Sequence, residues 1–126
     1  MIRRPLQVHI PKTAGTSIRN ALKIEDPPHL RASELRKRVG EIEWFDGFSF
    51  TIVRNPFDRY VSLWEYGRSH RRENIRTRWT LTFQEWLPKC LTRSLPREHP
   101  FRESWLTMGY FLDEEVDLVG RYEDLR

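Results

Sequence analysis

The sequence predicts an α/β fold: a small three-layer sandwich built on a short, mainly parallel sheet. Two stretches carry that expectation. Leu6, Val8 and Ile10 alternate with Gln7 and His9, and a helical pattern follows at once. Phe48, Phe50 and Ile52 alternate with Ser49 and Thr51, and again a helix signal follows. Strand then helix, twice over, is the order that builds parallel sheets. A length of 126 residues sets one domain, residues 1–126, with a modest core.

In chain order, the first strand covers Leu6 to Ile10. Ile18, Ala21 and Leu22 fall at helical spacing in a helix from Ile18 to Ile24, with Thr16 or Ser17 placed to cap it. Pro27-Pro28 ends that helix. His29 to Ala32 is a linker, and Ser33 caps a second helix, Glu34 to Val39, closed by Gly40. Glu41 to Gly47 reads as a loop carrying Trp44 and Phe45. The second strand ends at Val53-Arg54, where Asn55-Pro56 starts a helix: Asn is a good cap and Pro is pre-set for the first helical position. Tyr60, Leu63, Trp64 and Gly67 mark its apolar face. Asn55, Asp58, Arg59 and Ser62 share another face beside or opposite that stripe.

The arginine-rich stretch 68–78 reads first as a solvated loop. Thr82-Phe83-Gln84-Glu85 has the form of a capping box, opening an amphipathic turn that Pro88 kinks or shortens. Phe101 to Phe111 is aromatic with helical spacing at Trp105 and Met108. Val116, Leu118 and Gly120 suggest a third short strand before Arg121-Tyr122-Glu123-Asp124-Leu125.

Composition narrows the function classes. Five Trp, seven Phe and four Tyr argue against disorder, because they supply the apolar area that offsets ordering entropy. The net charge is +4 and the excess is arginine, which suits phosphate, sulfate or nucleic acid and equally suits a solvated basic face. Cys90 is the only cysteine, so neither an internal disulfide nor a thiolate zinc cluster can form. Met1 to Pro5 has the charges of a signal peptide without an apolar run behind them. No stretch approaches the roughly 20 apolar residues of a membrane span. A soluble, cytoplasmic protein with no membrane partner is the expectation.

The chemistry is concentrated in two strand-to-helix turns. Ile10-Pro11-Lys12-Thr13-Ala14-Gly15-Thr16-Ser17 puts a lysine, a glycine and three hydroxyls where backbone N–H groups and a helix N-terminus favour an anion. It is P-loop-like but not a nucleotide-triphosphate loop, since Lys12 precedes Gly15 instead of following it and there is one glycine. In that order the lysine reaches a bridging or leaving oxygen while the rest of the turn holds a phosphate. The second turn is Arg54-Asn55-Pro56-Phe57-Asp58-Arg59, with Ser62 two helical turns further on. An arginine and a hydroxyl there make a second phosphate site, or Arg54 pairs with Asp58 and caps structure; spacing alone leaves both open. Both turns lie at strand carboxyl ends, where open α/β sheets bind ligands.

In wording and order the two turns resemble the 3′-phosphoadenylyl-sulfate-dependent sulfotransferases, in particular the carbohydrate-type, family 2-like branch. His9-Ile10-Pro11-Lys12-Thr13-Ala14-Gly15-Thr16-Ser17 looks like the family's 5′-phosphosulfate loop. Val53-Arg54-Asn55-Pro56 with Asp58-Arg59 and Ser62 looks like its 3′-phosphate element, an arginine followed by a serine eight residues later. Weaker similarity runs through His29 to Leu35 and Val119 to Leu125. The resemblance implies that Lys12 stabilises the leaving phosphate oxygen, that Thr13, Gly15, Thr16 and Ser17 hold the 5′-phosphate, and that Arg54 and Ser62 grip the 3′-phosphate. It also implies 3′-phosphoadenylyl sulfate as co-substrate and no metal. Transfer would be in-line to an acceptor hydroxyl on a glycan or small hydroxylated molecule, with room for a homodimer.

Relatives place a histidine or carboxylate base between the two phosphate motifs. His29 fits by position, with Glu41 or Glu43 behind it; an imidazole suits proton removal near neutral pH. His9 reads as a structural or supporting donor, and His70 and His99 receive no role. The resemblance further implies a C-terminal helix and closing segment beyond Arg126. Two other readings stand beside an active enzyme: a catalytically impaired module binding nucleotide or sulfated glycan, and a basic nucleic-acid binder. For the last no recognised motif is present, and nucleic acid is not expected as a partner.

Overall fold

The computed structural model describes residues 3–24, 29–69, 81–92 and 107–125. Most of the arginine-rich stretch, His70, His99 and Trp105 lie outside the described residues. In order the elements are β1 (Pro5–Gln7), α1 (Gly15–Leu22), α2 (Ala32–Val39), α3 (Glu41–Asp46), β2 (Phe48–Val53), α4 (Pro56–Ser69), α5 (Phe83–Leu91), α6 (Met108–Phe111) and β3 (Leu118–Arg121), followed by a 3₁₀ turn, Tyr122–Asp124. The fold is the expected α/β class, with helices and a parallel sheet. The chain falls into two compact units, one of residues 1–55 with 108–126 and one of residues 56–107.

The first unit holds the sheet, ordered β1-β2-β3 with both pairings parallel. Leu6 lies opposite Ser49, and Thr51 opposite Val119. β1 is shorter than the alternation suggests, but the Val8 N–H still donates to the Phe50 carbonyl at 2.9 Å. Leu6, Val8, Ile10, Phe50 and Ile52 are buried, as expected of the apolar set. The intervening Gln7, Ser49 and Thr51 are buried as well, so the alternation does not separate a wet face from a dry one. Both faces of a parallel sheet are covered, and small hydroxyls survive there only when hydrogen-bonded. Thr51 Oγ1 donates to the Val8 carbonyl at 2.8 Å. Ser49 donates its N–H to Asp117 at 2.9 Å and accepts from the Asp117 N–H at 3.0 Å, which fixes the entry to β3.

Several local expectations are corrected. α1 begins three residues early, at Gly15; its N-cap is Ala14 in the left-handed region, and no side chain caps it. Thr16 and Ser17 therefore stand inside the first turn. Ser33 does not cap α2 either: Arg31 occupies the N-cap, and Ser33 donates its N–H to Asp113 at 2.9 Å. Glu41 to Asp46 is a helix rather than a loop. Two glutamates in its first turn favour the positive helix end, and burial of Trp44 anchors it.

The second unit contains α4 and α5. Leu63, Trp86 and Cys90 form its buried centre, with Tyr60, Trp64, Leu81, Phe83 and Leu87 packed around them. The Thr82–Glu85 capping box forms as the sequence predicts, with the Glu85 N–H donating to Thr82 Oγ1 at 3.2 Å and the Thr82 N–H to Glu85 Oε1 at 3.3 Å. Pro88 does not shorten α5, which runs through it to Leu91. Arg59 departs from the expected shared polar face: only 2% of it is exposed, and burial lowers its guanidinium pKa.

A candidate anion site at the β1–α1 turn

After Ile10 the backbone changes hand twice within three residues. Lys12 has φ 64° and Ala14 φ 68°, both in the left-handed region that non-glycine residues rarely adopt. Left-handed residues interleaved with ordinary ones curl successive N–H groups into a concavity suited to an anion. Thr13 sits between them with 2% exposure, and its hydroxyl donates to the Ile10 carbonyl at 2.8 Å. That bond staples the turn shut, so what Thr13 can present to a ligand is its backbone N–H. The first bond of the α1 ladder runs from Ile18 N–H to the Ala14 carbonyl at 3.1 Å. The N–H groups of Gly15, Thr16 and Ser17 precede it and mark the positive helix end. The Thr16 and Ser17 side chains are exposed there.

Gly15 is required by packing rather than by backbone conformation, since its φ is not positive. A Cβ on Gly15 would overlap Nε2 and Cδ2 of the His9 imidazole. His9 is itself buried, and its ring centroid lies 4.3 Å from that of His29, tilted by 54°. The structure thus brings His29, more than a dozen residues downstream, to the flank of the loop. Its side of the pair is exposed.

Arg54 comes to the same turn from the end of β2. Its Nη1 donates to the Lys12 carbonyl at 3.3 Å, and its guanidinium carbon stands 4.1 Å from the centre of the Tyr122 ring. Its backbone N–H meets Met108 Sδ at 3.3 Å, and the next N–H, of Asn55, donates to Glu123 Oε1 at 2.7 Å. Arg54 Nε is buried without a hydrogen-bond partner. Burial first, and then the nearby Arg54 charge, lower the Lys12 ammonium pKa. Two cations close enough to shift one another are an arrangement that a multiply charged anion would stabilise.

Lys12, Thr13, Gly15, Thr16, Ser17, His29 and Arg54 all belong to the first unit, and contacts link the turn to Arg54 and to His9–His29. Ser62 lies on α4, in the second unit, half-buried. Glu41 and Glu43 sit on α3 ahead of β2, at the amino edge of the sheet. Glu41 accepts both forks of Arg36 at 2.7 and 2.6 Å, and Glu43 is paired with Arg4. Their placement and pairing leave His29 as the group beside the loop.

Tyr122, Glu123 and Met108 were not legible as parts of this site. They reach it through β3 and α6, across more than fifty residues of sequence. Among the described residues no group of three or more His, Cys, Asp or Glu could hold a metal ion, and no helix is long and apolar enough to cross a membrane. No curated protein and no solved structure matches the chain. A family model does, over residues 6–126, a span that contains both loaded turns and the Tyr122 element. On that match the chain belongs to the sulfotransferase family, the group the two turns resemble.

Proposed function

We propose that the protein transfers a sulfuryl group from 3′-phosphoadenylyl sulfate to an acceptor hydroxyl, with a carbohydrate as the favoured acceptor class. Family membership supports sulfuryl transfer in general. The observation that carries the choice of donor is the convergence of Lys12 and Arg54 on one concave turn, with an unpartnered buried Arg54 Nε beside it. A nucleotide bearing a 5′-phosphosulfate and a separate 3′-phosphate offers one anionic group to each cation. The loop N–H groups from Thr13 to Ser17 hold the 5′-phosphate. Arg54 takes the 3′-phosphate.

In the step itself, the acceptor oxygen gives its proton to the His29 imidazole and forms a new S–O bond. The bond from sulfur to the bridging phosphate oxygen breaks, and its electron pair stays on that oxygen as adenosine 3′,5′-bisphosphate leaves. Lys12 stabilises the charge building there. Such transfer rests on positioning and fixed positive charge.

Calorimetry with adenosine 3′,5′-bisphosphate against adenosine 5′-phosphate tests the donor assignment. One added charge-assisted contact makes the bisphosphate tighter by about tenfold or more. Equal affinity for the two nucleotides sinks the assignment. Transfer from labelled donor to a panel of glycans tests the acceptor class.

A further inference from the structure

We infer that His9 is a positioning residue that couples the phosphate-binding loop to the base, and that Gly15 is glycine in order to admit it. The inference rests on the proposed sulfuryl transfer for its functional half, while its structural half stands on geometry alone. The His9 imidazole is buried against the first residue of α1, in the space a Gly15 side chain would fill. The same ring meets His29, with the two ring centroids 4.3 Å apart. One rigid ring therefore touches both the residue whose N–H opens the anion-binding helix end and the imidazole that receives the acceptor proton. Gly15 has no positive φ to explain it, so the ring is the physical reason for the absent Cβ. In a glycine-bearing phosphate loop the usual account is close approach of the ligand to the backbone. Here a side chain of the same protein fills the space a Cβ would take.

The two accounts make opposite predictions for a double substitution. Gly15→Ala, His9→Ala and the Gly15→Ala/His9→Ala pair are compared in the 126-residue chain by thermal unfolding, calorimetry with adenosine 3′,5′-bisphosphate, and single-turnover sulfuryl transfer. Gly15→Ala drives a methyl into the ring, so it lowers the melting temperature and weakens nucleotide binding by about tenfold or more. Adding His9→Ala removes the obstacle, so the double variant recovers both melting temperature and nucleotide affinity to the level of His9→Ala alone. Transfer does not recover. With the His9 ring contact removed from His29, the rate in both His9→Ala variants falls on the order of a hundredfold, as expected for a displaced catalytic group. His9→Phe, which keeps a flat ring in the slot, restores part of that rate.

A double variant that binds as poorly as Gly15→Ala would overturn the inference, since the glycine would then serve the ligand directly. Wild-type transfer by folded His9→Ala would overturn it as well. If the wild-type chain shows no affinity for the bisphosphate, the donor assignment fails instead. The wedge is then read from melting temperatures alone: a strongly non-additive pair supports it, and simple additivity of the two substitutions overturns it.

Discussion

At the scale of single residues, Lys12 and Arg54 are unequal partners. Lys12 is half-exposed, with its pKa lowered by burial and by Arg54, and in the proposed reaction it faces the leaving oxygen. Lys12→Ala is expected to reduce transfer on the order of a hundredfold to a thousandfold while bisphosphate binding weakens far less. Single-turnover rates set beside calorimetric affinities separate the two effects. Arg54 is oriented by Tyr122, whose ring lies flat enough for a guanidinium carbon 4.1 Å from its centre. Tyr122→Ala should lower bisphosphate affinity several-fold, and Tyr122→Phe should retain it, because the attraction is to the ring face. Arg54→Ala should abolish the preference over adenosine 5′-phosphate. A preference that survives places the 3′-phosphate elsewhere.

At the scale of elements, α1 and α5 show two ways to begin a helix. α5 uses a reciprocal side-chain cap, Thr82 with Glu85, which a local sequence pattern announces. Thr82→Ala is expected to cost about 1 kcal/mol, measured by denaturant unfolding. α1 has a left-handed Ala14 at its cap and no capping side chain, so no N-cap side chain satisfies its first N–H groups. The expectation that Thr16 or Ser17 caps α1 failed because hydroxyls near a helix start were read as capping acceptors. The backbone instead turns at Ala14, two residues before Thr16. α3 was missed for a related reason: six residues are too few to show a helical period, and what holds them is the burial of Trp44. β2 was legible because Phe48, Phe50 and Ile52 alternate with Ser49 and Thr51 ahead of the Asn55-Pro56 helix start, and it ends at Val53.

At the scale of the whole molecule, charge and burial set the response to salt and pH. The protein carries +4 and offers two clustered cations to an anion. Bisphosphate affinity should therefore fall by about tenfold or more between roughly 0.05 and 0.5 M salt. Affinity indifferent to salt would mean that charge is not what holds the nucleotide. In the second unit, burial pushes the Cys90 thiol up to about 12 from 9.0. A raised folded-state pKa means the native protein keeps a proton the unfolded chain gives up. Stability from this group is full below pH 9 and falls as pH rises from about 9 towards 12. Cys90→Ala should flatten that alkaline slope while lowering stability below it, as read by urea unfolding at a series of pH values. The native thiol should also resist alkylation at pH 8.

By itself the sequence determined the α/β class, the three strands, most of the helices, the Thr82 cap and the strand-to-helix turn at Lys12. Each of those is written within a few neighbouring residues, as a period, a cap or a turn. The Arg54 turn was half legible: its arginine at a strand end could be seen, but its choice between Asp58 and a ligand could not. Only the tertiary structure stacked Arg54 on Tyr122, brought His9 against both Gly15 and His29, and buried Arg59 where a polar face was expected. Those contacts join segments far apart in the chain, or depend on what covers a helix face. Local periodicity carries no information about either.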